Sequence, residues 1–229
     1  MSAGPGPSFD VIGDVHGCAD ELFRLLGSLG YTLAPGLDGA QPPPGRTAVF
    51  VGDLVDRGPA APAVLRLVMR MVVSGTAICV LGNHDELLLR ALRAEPVPLA
   101  HGLAQSLAQL DREPAAFVAQ VAMFVSSLPR QVALDDGRLL VTHSRPPGAG
   151  GRPAHPASAA AAAEGLETVT VYGHTPVDDP TWHNGTICID TGCVYGGKLT
   201  ALRYPEKELV AVSAARTYWV PAHQRPPSL

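Results

Sequence analysis

Short apolar runs recur along the chain, and each one stops at a glycine, aspartate, asparagine or histidine. They read FDVIGD, AVFVGD, AICVLGNHD, LLVTH, VTVYGHT and ICIDTG. Runs of this length that are rich in β-branched residues favour buried β-strands over helices. The sequence therefore predicts a set of short buried strands whose ends carry polar residues.

The segments between these runs have helical patterns. The leucines of ADELFRLLGSLG fall on one helical face, and APAVLRLVMRMVVSG has a proline in its first turn and stops at Gly75. DELLLRALR and residues 103–128 are also predicted to be helical. Strands that alternate with helices predict an α/β fold with layered packing. The runs KLTALRYP and ELVAVS follow each other closely and predict a hairpin.

The length of 229 residues fits one large domain. We predict a single domain at residues 8–214, between irregular tails at 1–7 and 215–229. Residues 145–164 are low in complexity and rich in alanine, glycine and proline. This composition has too little apolar variety to form a core, so we predict a loop there.

Composition argues against several classes of protein. A formal net charge of −4 does not fit a protein that grips long nucleic acids through their phosphates, so we expect no extended nucleic-acid groove. No apolar run approaches the roughly 20 residues that cross a bilayer, and the first residues lack the features of a signal peptide. The four cysteines form no C-x-x-C pair, and a chain of this size needs no disulfides, so a reducing compartment is expected. We expect a cytoplasmic protein without membrane contact, and the sequence does not indicate its oligomeric state.

Polar residues follow the C-terminal ends of the predicted strands, at Asp14, His16, Asp53, Asp56, Arg57, Asn83, His84, His143, His174 and Asp190. Ligands bind at this edge of an open α/β sheet. The carboxylate, imidazole and amide groups suit Mn²⁺, Fe²⁺ or Zn²⁺. Six of the residues offer these groups: Asp14, His16, Asp53, Asn83, His143 and His174. Six donors exceed what one metal needs, whereas two metals that share a bridging carboxylate would use them all. The alternative is that these residues only close turns, but turn formation does not explain the histidines.

The motifs around these residues resemble those of the calcineurin-like metallophosphoesterases, in the phosphoprotein-phosphatase branch. They are GDVHG (13–17), GDLVDRG (52–58), GNHD (82–85), the histidine at position 143 and YGHT (172–175). The segment CIDTGCVYGGKLTALRYPEKELV is most similar to the central phosphatase domain of bacterial polynucleotide kinase-phosphatases. Diadenosine tetraphosphate hydrolases share part of that segment. The resemblance implies a fold of two stacked mixed β-sheets flanked by helices, in the α/β (α+β) class.

The resemblance also implies two divalent metal ions, Mn²⁺ in the first place and Fe or Zn otherwise. Their ligands would be Asp14, His16, Asp53, Asn83, His143 and His174. Asp53 would bridge the two metals, and a hydroxide held between them would attack phosphorus directly.

The remaining residues receive their roles from the same resemblance. Arg57 would bind phosphate oxygens, and His84 would protonate the leaving oxygen. Asp56 would orient His84 and favour its protonated form. Asp190 would support the site from behind the metal ligands, unless it only forms an Asx-turn at the start of DTG.

The resemblance thus implies an enzyme, a metal-dependent phosphatase or phosphodiesterase that acts on a small phosphoester or nucleotide end. The first expectation is a 2′,3′-cyclic phosphate or 2′/3′-phosphate end of a nucleotide or nucleic acid. Phosphoserine or phosphothreonine proteins and dinucleoside tetraphosphates are alternatives within the family. A metal-stabilised, non-catalytic binding module is the alternative from another class, and intact Asp56, Arg57 and His84 argue against it.

The chain departs from the family pattern after His143. The usual small residue and glycine are replaced by Ser144, Arg145 and Pro146. Arg145 is therefore either a second phosphate clamp or a solvated loop residue. The chain also has no Walker A motif, so no kinase module is expected.

Overall fold

The computed structural model describes residues 6–145 and 156–220. Its strands are β1 (Ser8–Ile12), β2 (Thr32–Leu33), β3 (Ala40–Gln41), β4 (Arg46–Phe50), β5 (Ala77–Cys79), β6 (Gln131–Leu134), β7 (Leu139–Thr142), β8 (Val169–Tyr172), β9 (Trp182–His183), β10 (Thr186–Cys188), β11 (Lys198–Tyr204) and β12 (Glu208–Ser213). Its helices are α1 (Ala19–Ser28), α2 (Ala61–Val73), α3 (Asn83–Leu92), α4 (Leu103–Leu110), α5 (Ala115–Ser127) and α6 (Pro156–Ala163). Short 3₁₀ turns lie at Asp135–Gly137 and Cys193–Tyr195.

Two five-stranded mixed sheets form the centre of the fold. The first has the order β12-β11-β1-β4-β5, in which β1, β4 and β5 are parallel. The second has the order β6-β7-β8-β10-β9, in which β7, β8 and β10 are parallel. The predicted hairpin is confirmed, because β11 and β12 pair antiparallel from Lys198 opposite Ser213 to Arg203 opposite Glu208.

The central strands of the first sheet bury both faces. Val11 and Val49 pack into a core shared with the second sheet, whereas their neighbours Ile12 and Phe50 pack toward the helices. Successive strand residues point to opposite faces of a sheet. The sheets are therefore stacked face to face, with α1–α5 on the outer face of the first sheet. The predicted α/β fold of two stacked mixed sheets flanked by helices is confirmed.

One local prediction needs correction. Helix α6 lies inside residues 145–164, which the sequence predicted to be a loop, and residues 146–155 lie outside the described part. Low apolar variety argued against a core but not against a helix, since alanine has the highest helix propensity and proline fits the first turn. The helical prediction for residues 103–128 is confirmed: they form the two helices α4 and α5, which are separated before Pro114 because proline cannot continue a helix from its N-terminal side.

Within residues 6–145 and 156–220, no helix combines the length and the apolar character that spanning a lipid bilayer requires.

Helix α2 offers a matched test of the core. Leu65 is fully buried in it, whereas Val73 at its last turn is 88% exposed. We expect Leu65→Ala to lower the free energy of unfolding by about 2–5 kcal/mol, because it leaves a cavity. Val73→Ala should change it by about 0.5 kcal/mol or less. Urea denaturation measures both values, and similar losses in the two variants would contradict this packing.

Candidate active site

The structure brings the sequence-predicted polar residues to one edge of the stacked sheets. They follow the C-terminal ends of β1, β4 and β5 in the first sheet and of β7, β8 and β10 in the second. Most of their side chains are buried, while Arg57 and Asn83 are partly exposed and His174 is exposed. Six loops that are distant in sequence therefore form one polar cluster.

The side chains of Asn83, His143 and His174 come from three different loops, and their potential metal-ligating atoms lie close together. The Oδ1 atom of Asn83 lies 2.8 Å from His143 Nε2 and 2.7 Å from His174 Nδ1, and these two ring nitrogens are 3.1 Å apart. His143 Nδ1 donates to the carbonyl oxygen of Val51 at 3.0 Å, which leaves Nε2 unprotonated in the neutral ring. Burial lowers the pKa of His143 and of His174. Lone pairs thus face one another here, an arrangement that a cation would stabilise.

Asp53 lies between two sets of histidines. Its Oδ2 atom is 3.6 Å from His16 Nε2 and 3.4 Å from His143 Nε2. The ligand atoms of Asp53, His143 and His174 lie within 4.8 Å of one another, as do those of His16, Asp53 and His84. A carboxylate shared by two such clusters is what a two-metal centre requires.

Negative charge is concentrated at the same place. Asp14, Asp53 and Asp190 are only 3%, 2% and 4% exposed. Burial, followed by the charges of Asp190 and Asp53, raises the pKa of Asp14 well above its usual value. Burial also raises the pKa of Asp53, and it raises that of Asp190 to about 6. Buried carboxylates that repel one another are stabilised by a cation between them, so the donor set fits divalent metal ions.

His84 and Asp56 form a buried pair. The Nδ1 atom of His84 donates to Asp56 Oδ2 at 2.6 Å. The hydroxyl of Ser106 donates to the other carboxylate oxygen at 2.6 Å and accepts the backbone N–H of Asp56 at 2.9 Å. The carboxylate is thereby fixed, and the Nε2 atom of His84 is directed toward the polar cluster.

The guanidinium group of Arg57 spans two histidines. Its Nη1 atom lies 2.7 Å from His16 Nε2, and its Nη2 atom lies 2.7 Å from His84 Nε2. His16 Nδ1 donates to the carbonyl oxygen of Val55 at 2.7 Å, so its Nε2 atom is the acceptor. The guanidinium carbon also lies 5.5 Å from the centre of the Tyr195 ring. Arg57 thus presents two parallel N–H groups, the fork that binds carboxylate or phosphate oxygens.

Asp190 closes a turn at the rim of this cluster. Its Oδ1 atom accepts the backbone N–H of Gly192 at 3.0 Å, which is the Asx-turn that the sequence left open as an alternative. Nevertheless, after burial, the negative charge of Asp190 is the largest cause of the raised pKa of Asp14. Asp190 therefore combines a local structural contact with an influence on the candidate metal ligands.

The backbone of the site adopts an unfavourable conformation. Positive φ angles of 44°, 50°, 72°, 70° and 75° occur at His16, Asp53, Asp56, Arg57 and His174. Such angles cost on the order of 1 kcal/mol or more for a non-glycine residue, and they cluster at functional sites. Glycines let the loops approach closely, since a Cβ atom at Gly82 would overlap Asp53 and one at Gly173 would overlap Asp14.

The sequence profile of the calcineurin-like phosphoesterases matches residues 7–206. The chain belongs to this family. It is therefore a metallophosphoesterase, a hydrolase that acts on phosphate esters, as the motifs predicted.

Relatives of this phosphoesterase align along nearly the whole chain. The asymmetrical bis(5′-nucleosyl)-tetraphosphatase PrpE of Anoxybacillus flavithermus is 36% identical, over 92% of this chain and 96% of the relative. The PrpE protein of Bacillus subtilis is 37% identical, with the same coverage of 92% and 96%. Neither is a polynucleotide kinase-phosphatase, so these comparisons support the family but not that finer resemblance.

Solved structures agree with this assignment. The crystal structure of a provisionally assigned diadenosine tetraphosphatase has a TM-score of 0.63 and 26% identity, and the match covers 91% of this chain and 94% of that one. A protein serine/threonine phosphatase from Saccharomyces cerevisiae has a TM-score of 0.60, with coverage of 93% and 81%. At 13% identity the latter shows the fold alone.

Two supporting residues of the phosphoesterase site received no role from the sequence. Asp85 is fully buried, and its carboxylate accepts the backbone N–H groups of Asp53, Leu54 and Gly82 at 2.8, 3.0 and 3.1 Å. It thus fixes the loop that carries Asp53. The GNHD motif contained this residue and could have revealed it. Ser106 had no such signal, because it lies 50 residues from its partner Asp56 in the sequence.

The close contact at Gly82 can be tested against a second glycine. We expect Gly82→Ala to lower the free energy of unfolding by about 2 kcal/mol or more, because the methyl group displaces Asp53, and to weaken Mn²⁺ binding. Gly27→Ala is the matched control, since a Cβ atom there meets open space on helix α1. It should stabilise the protein by about 0.5–1 kcal/mol. Denaturation and titration calorimetry give both quantities, and unchanged Mn²⁺ affinity in Gly82→Ala would contradict the expectation.

Proposed function

We propose that this phosphoesterase hydrolyses dinucleoside tetraphosphates asymmetrically, to a nucleoside monophosphate and a nucleoside triphosphate. The substrate class is supported by the two PrpE relatives, which align with 92% of the chain. The reaction is supported by one observation above the others. The Asp53 carboxylate lies 3.4–3.6 Å from the His143 and His16 rings, beside Arg57 and the His84–Asp56 pair.

Two divalent ions, in the first place Mn²⁺, fit the donors at this point. The proposed ligands are Asp14, His16 and Asp53 for one ion and Asp53, Asn83, His143 and His174 for the other. Bound ions supply Lewis acidity toward phosphate and lower the pKa of water. The chain fixes the tautomers of two ligands through the carbonyl oxygens of Val55 and Val51, at 2.7 and 3.0 Å.

Arg57 is proposed to bind the phosphate group that reacts. Its two outer nitrogens point toward the same cluster, each 2.7 Å from a histidine nitrogen. A planar, permanently charged fork matches two phosphate oxygens and stabilises charge that grows in the transition state. A tetraphosphate carries several negative charges, so this contribution is large for the proposed substrate.

His84 is proposed to protonate the leaving oxygen through Nε2. Its Nδ1 proton is held by Asp56 at 2.6 Å, which leaves Nε2 as the position that gains and loses a proton. The carboxylate of Asp56 orients the imidazole ring, and Ser106 keeps that carboxylate in place. The need for this proton falls as the leaving group becomes more acidic.

The relatives support the dinucleoside tetraphosphate alternative better than the phosphate ends that the sequence analysis put first. Their names specify asymmetrical tetraphosphatase activity. The similarity of CIDTGCVYGGKLTALRYPEKELV to kinase-phosphatase domains keeps 2′,3′-cyclic phosphates as a second candidate. Both substrates need the same metal ligands and the same arginine, so activity on each must be compared directly.

A substrate panel tests the proposed class. We expect diadenosine tetraphosphate to give the highest kcat/KM, with ATP and AMP in equal amounts as products. The comparison compounds are 2′,3′-cyclic AMP, a phosphoserine peptide and p-nitrophenyl phosphate. Chromatography of products under Mn²⁺ measures all four, and a chelator should abolish each activity. A higher kcat/KM for the cyclic nucleotide or the peptide would overturn the proposed class but leave the phosphoesterase assignment intact.

The role of His84 can be tested with aryl phosphates of graded leaving-group acidity. We expect His84→Asn to lower kcat/KM by about 10²–10⁴-fold for phenyl phosphate, whose leaving group needs a proton. The loss should be much smaller for p-nitrophenyl phosphate, because nitrophenolate leaves without one. Asp56→Asn should show the same trend with a smaller amplitude. Parallel losses along the whole series would exclude an acid role for His84.

A further inference from the structure

A second cluster of ligating side chains lies behind the active site. Cys18 and Glu21 stand at the start of helix α1, and Cys193 begins the 3₁₀ turn that follows β10. One ligand atom from each of the three lies within 4.8 Å of the other two. The side chains are 0%, 0% and 2% exposed. None of them is among the residues of the proposed catalytic centre.

Among the described residues, only one of the two carboxylate oxygens of Glu21 accepts hydrogen bonds. Oε1 accepts hydrogen bonds from the backbone N–H of Ala215 at 2.8 Å, from Tyr218 Oη at 2.9 Å and from Arg24 Nη2 at 3.4 Å. Oε2 is buried and has no hydrogen-bond partner among the described residues. A buried carboxylate oxygen without a partner is costly, and an ion that the site is built to hold is one explanation for it.

The chemistry of these donors selects a class of cation. Two sulfur atoms and one carboxylate oxygen suit Zn²⁺ and its thiophilic analogue Cd²⁺, whereas Mg²⁺ and Ca²⁺ prefer oxygen ligands. The proposed catalytic ligands are nitrogen and oxygen atoms, so the two sites differ in preference. We infer that Cys18, Glu21 and Cys193 form a buried binding site for one thiophilic divalent cation of the zinc class.

Binding of one divalent cation would change both the protonation and the net charge of this site. As each metal–sulfur bond forms, one thiol releases its proton to solvent, so that two protons leave for each cation bound. Two thiolates and one carboxylate carry three negative charges, which the cation reduces to one. The guanidinium group of Arg24, 3.4 Å from Glu21 Oε1, offsets the remaining charge.

The inferred cation site lies close in sequence to two loops of the catalytic centre. Cys18 follows His16 by two residues, and Cys193 follows Asp190 by three. A shared cation would therefore tie the first metal-binding loop to the Asp190 turn through helix α1. Residues 214–220 cover Glu21 through Ala215 and Tyr218, and several of them are exposed.

Cadmium titration of the reduced, chelator-treated full chain tests this site without measuring hydrolysis. Thiolate-to-cadmium charge transfer gives an ultraviolet absorption band, and none of the proposed catalytic ligands is a thiol. We expect the band of the wild type to saturate at the amplitude of one cadmium ion bound by two thiolates, because any Cd²⁺ taken up by the nitrogen and oxygen ligands of the catalytic centre gives no such band. Cys18→Ser and Cys193→Ser should each abolish it or reduce it by half or more, and Glu21→Gln should weaken the cadmium affinity about tenfold or more.

Two cysteine variants serve as matched controls. Cys79 is buried elsewhere, and Cys188 is buried next to the catalytic centre, where its thiol contacts the carbonyl oxygen of Thr175 at 3.3 Å. Cys79→Ser and Cys188→Ser should keep the full band. Where a cysteine variant fails to fold by circular dichroism, Glu21→Gln decides the outcome, since it retains both thiols.

The site is excluded if the wild type shows no band, either in the titration or after refolding with Cd²⁺. It is also excluded if Glu21→Gln binds Cd²⁺ as tightly as the wild type, or if Cys188→Ser removes the band. None of these results depends on which phosphoester the enzyme hydrolyses, so failure here leaves the proposed function unaffected.

Discussion

The structure depends on the burial of the Asp53 carboxylate between two histidines at the end of β4. Its Oδ2 atom is within 3.6 Å of His16 Nε2 and within 3.4 Å of His143 Nε2, and its Oδ1 atom accepts the backbone N–H of His84 at 2.9 Å. One side chain thereby joins loops from both sheets. Because the carboxylate is 2% exposed, a charge on it is costly unless cations lie nearby, and the histidines around it are candidate ligands for such cations.

The backbone around this carboxylate is held by contacts that leave little room for change. The carboxylate of Asp85 accepts three backbone N–H groups from two loops of the site, at Asp53 and Leu54 in one loop and at Gly82 in the other. Gly82 lies so close to Asp53 that no other residue fits without movement. The positive φ angle at Asp53 occurs where its backbone N–H is held by Asp85, and that at Asp56 where its backbone N–H is held by Ser106. Rigid support of this kind keeps the candidate metal ligands and Arg57 in fixed relative positions.

Two clusters with different donor chemistry share the same loops. The catalytic cluster uses imidazole, amide and carboxylate groups, while the inferred cluster of Cys18, Glu21 and Cys193 uses two sulfur atoms and one oxygen. The loop after β1 contributes His16 to the first and Cys18 to the second. A cation in the inferred site would thus stabilise the loops that carry Asp14 and Asp190 without competing for the nitrogen and oxygen donors of the candidate catalytic cluster.

The sequence by itself determined the strands, the order of the motifs and the polar residues at the strand ends, because buried strands and sheet-edge ligands have local patterns. It also indicated the family through GDVHG, GDLVDRG and GNHD. Only the tertiary structure decided how Asp53 relates to His16 and His143 and that Ser106 supports Asp56 from 50 residues away. It also decided that Cys18 and Cys193 meet at the carboxylate of Glu21, one oxygen of which has no hydrogen-bond partner among the described residues. Helix α6 escaped prediction because alanine-rich sequence suits both a loop and a helix until its surroundings are known. Contacts between distant segments depend on the packing of two sheets, and no local pattern encodes that packing.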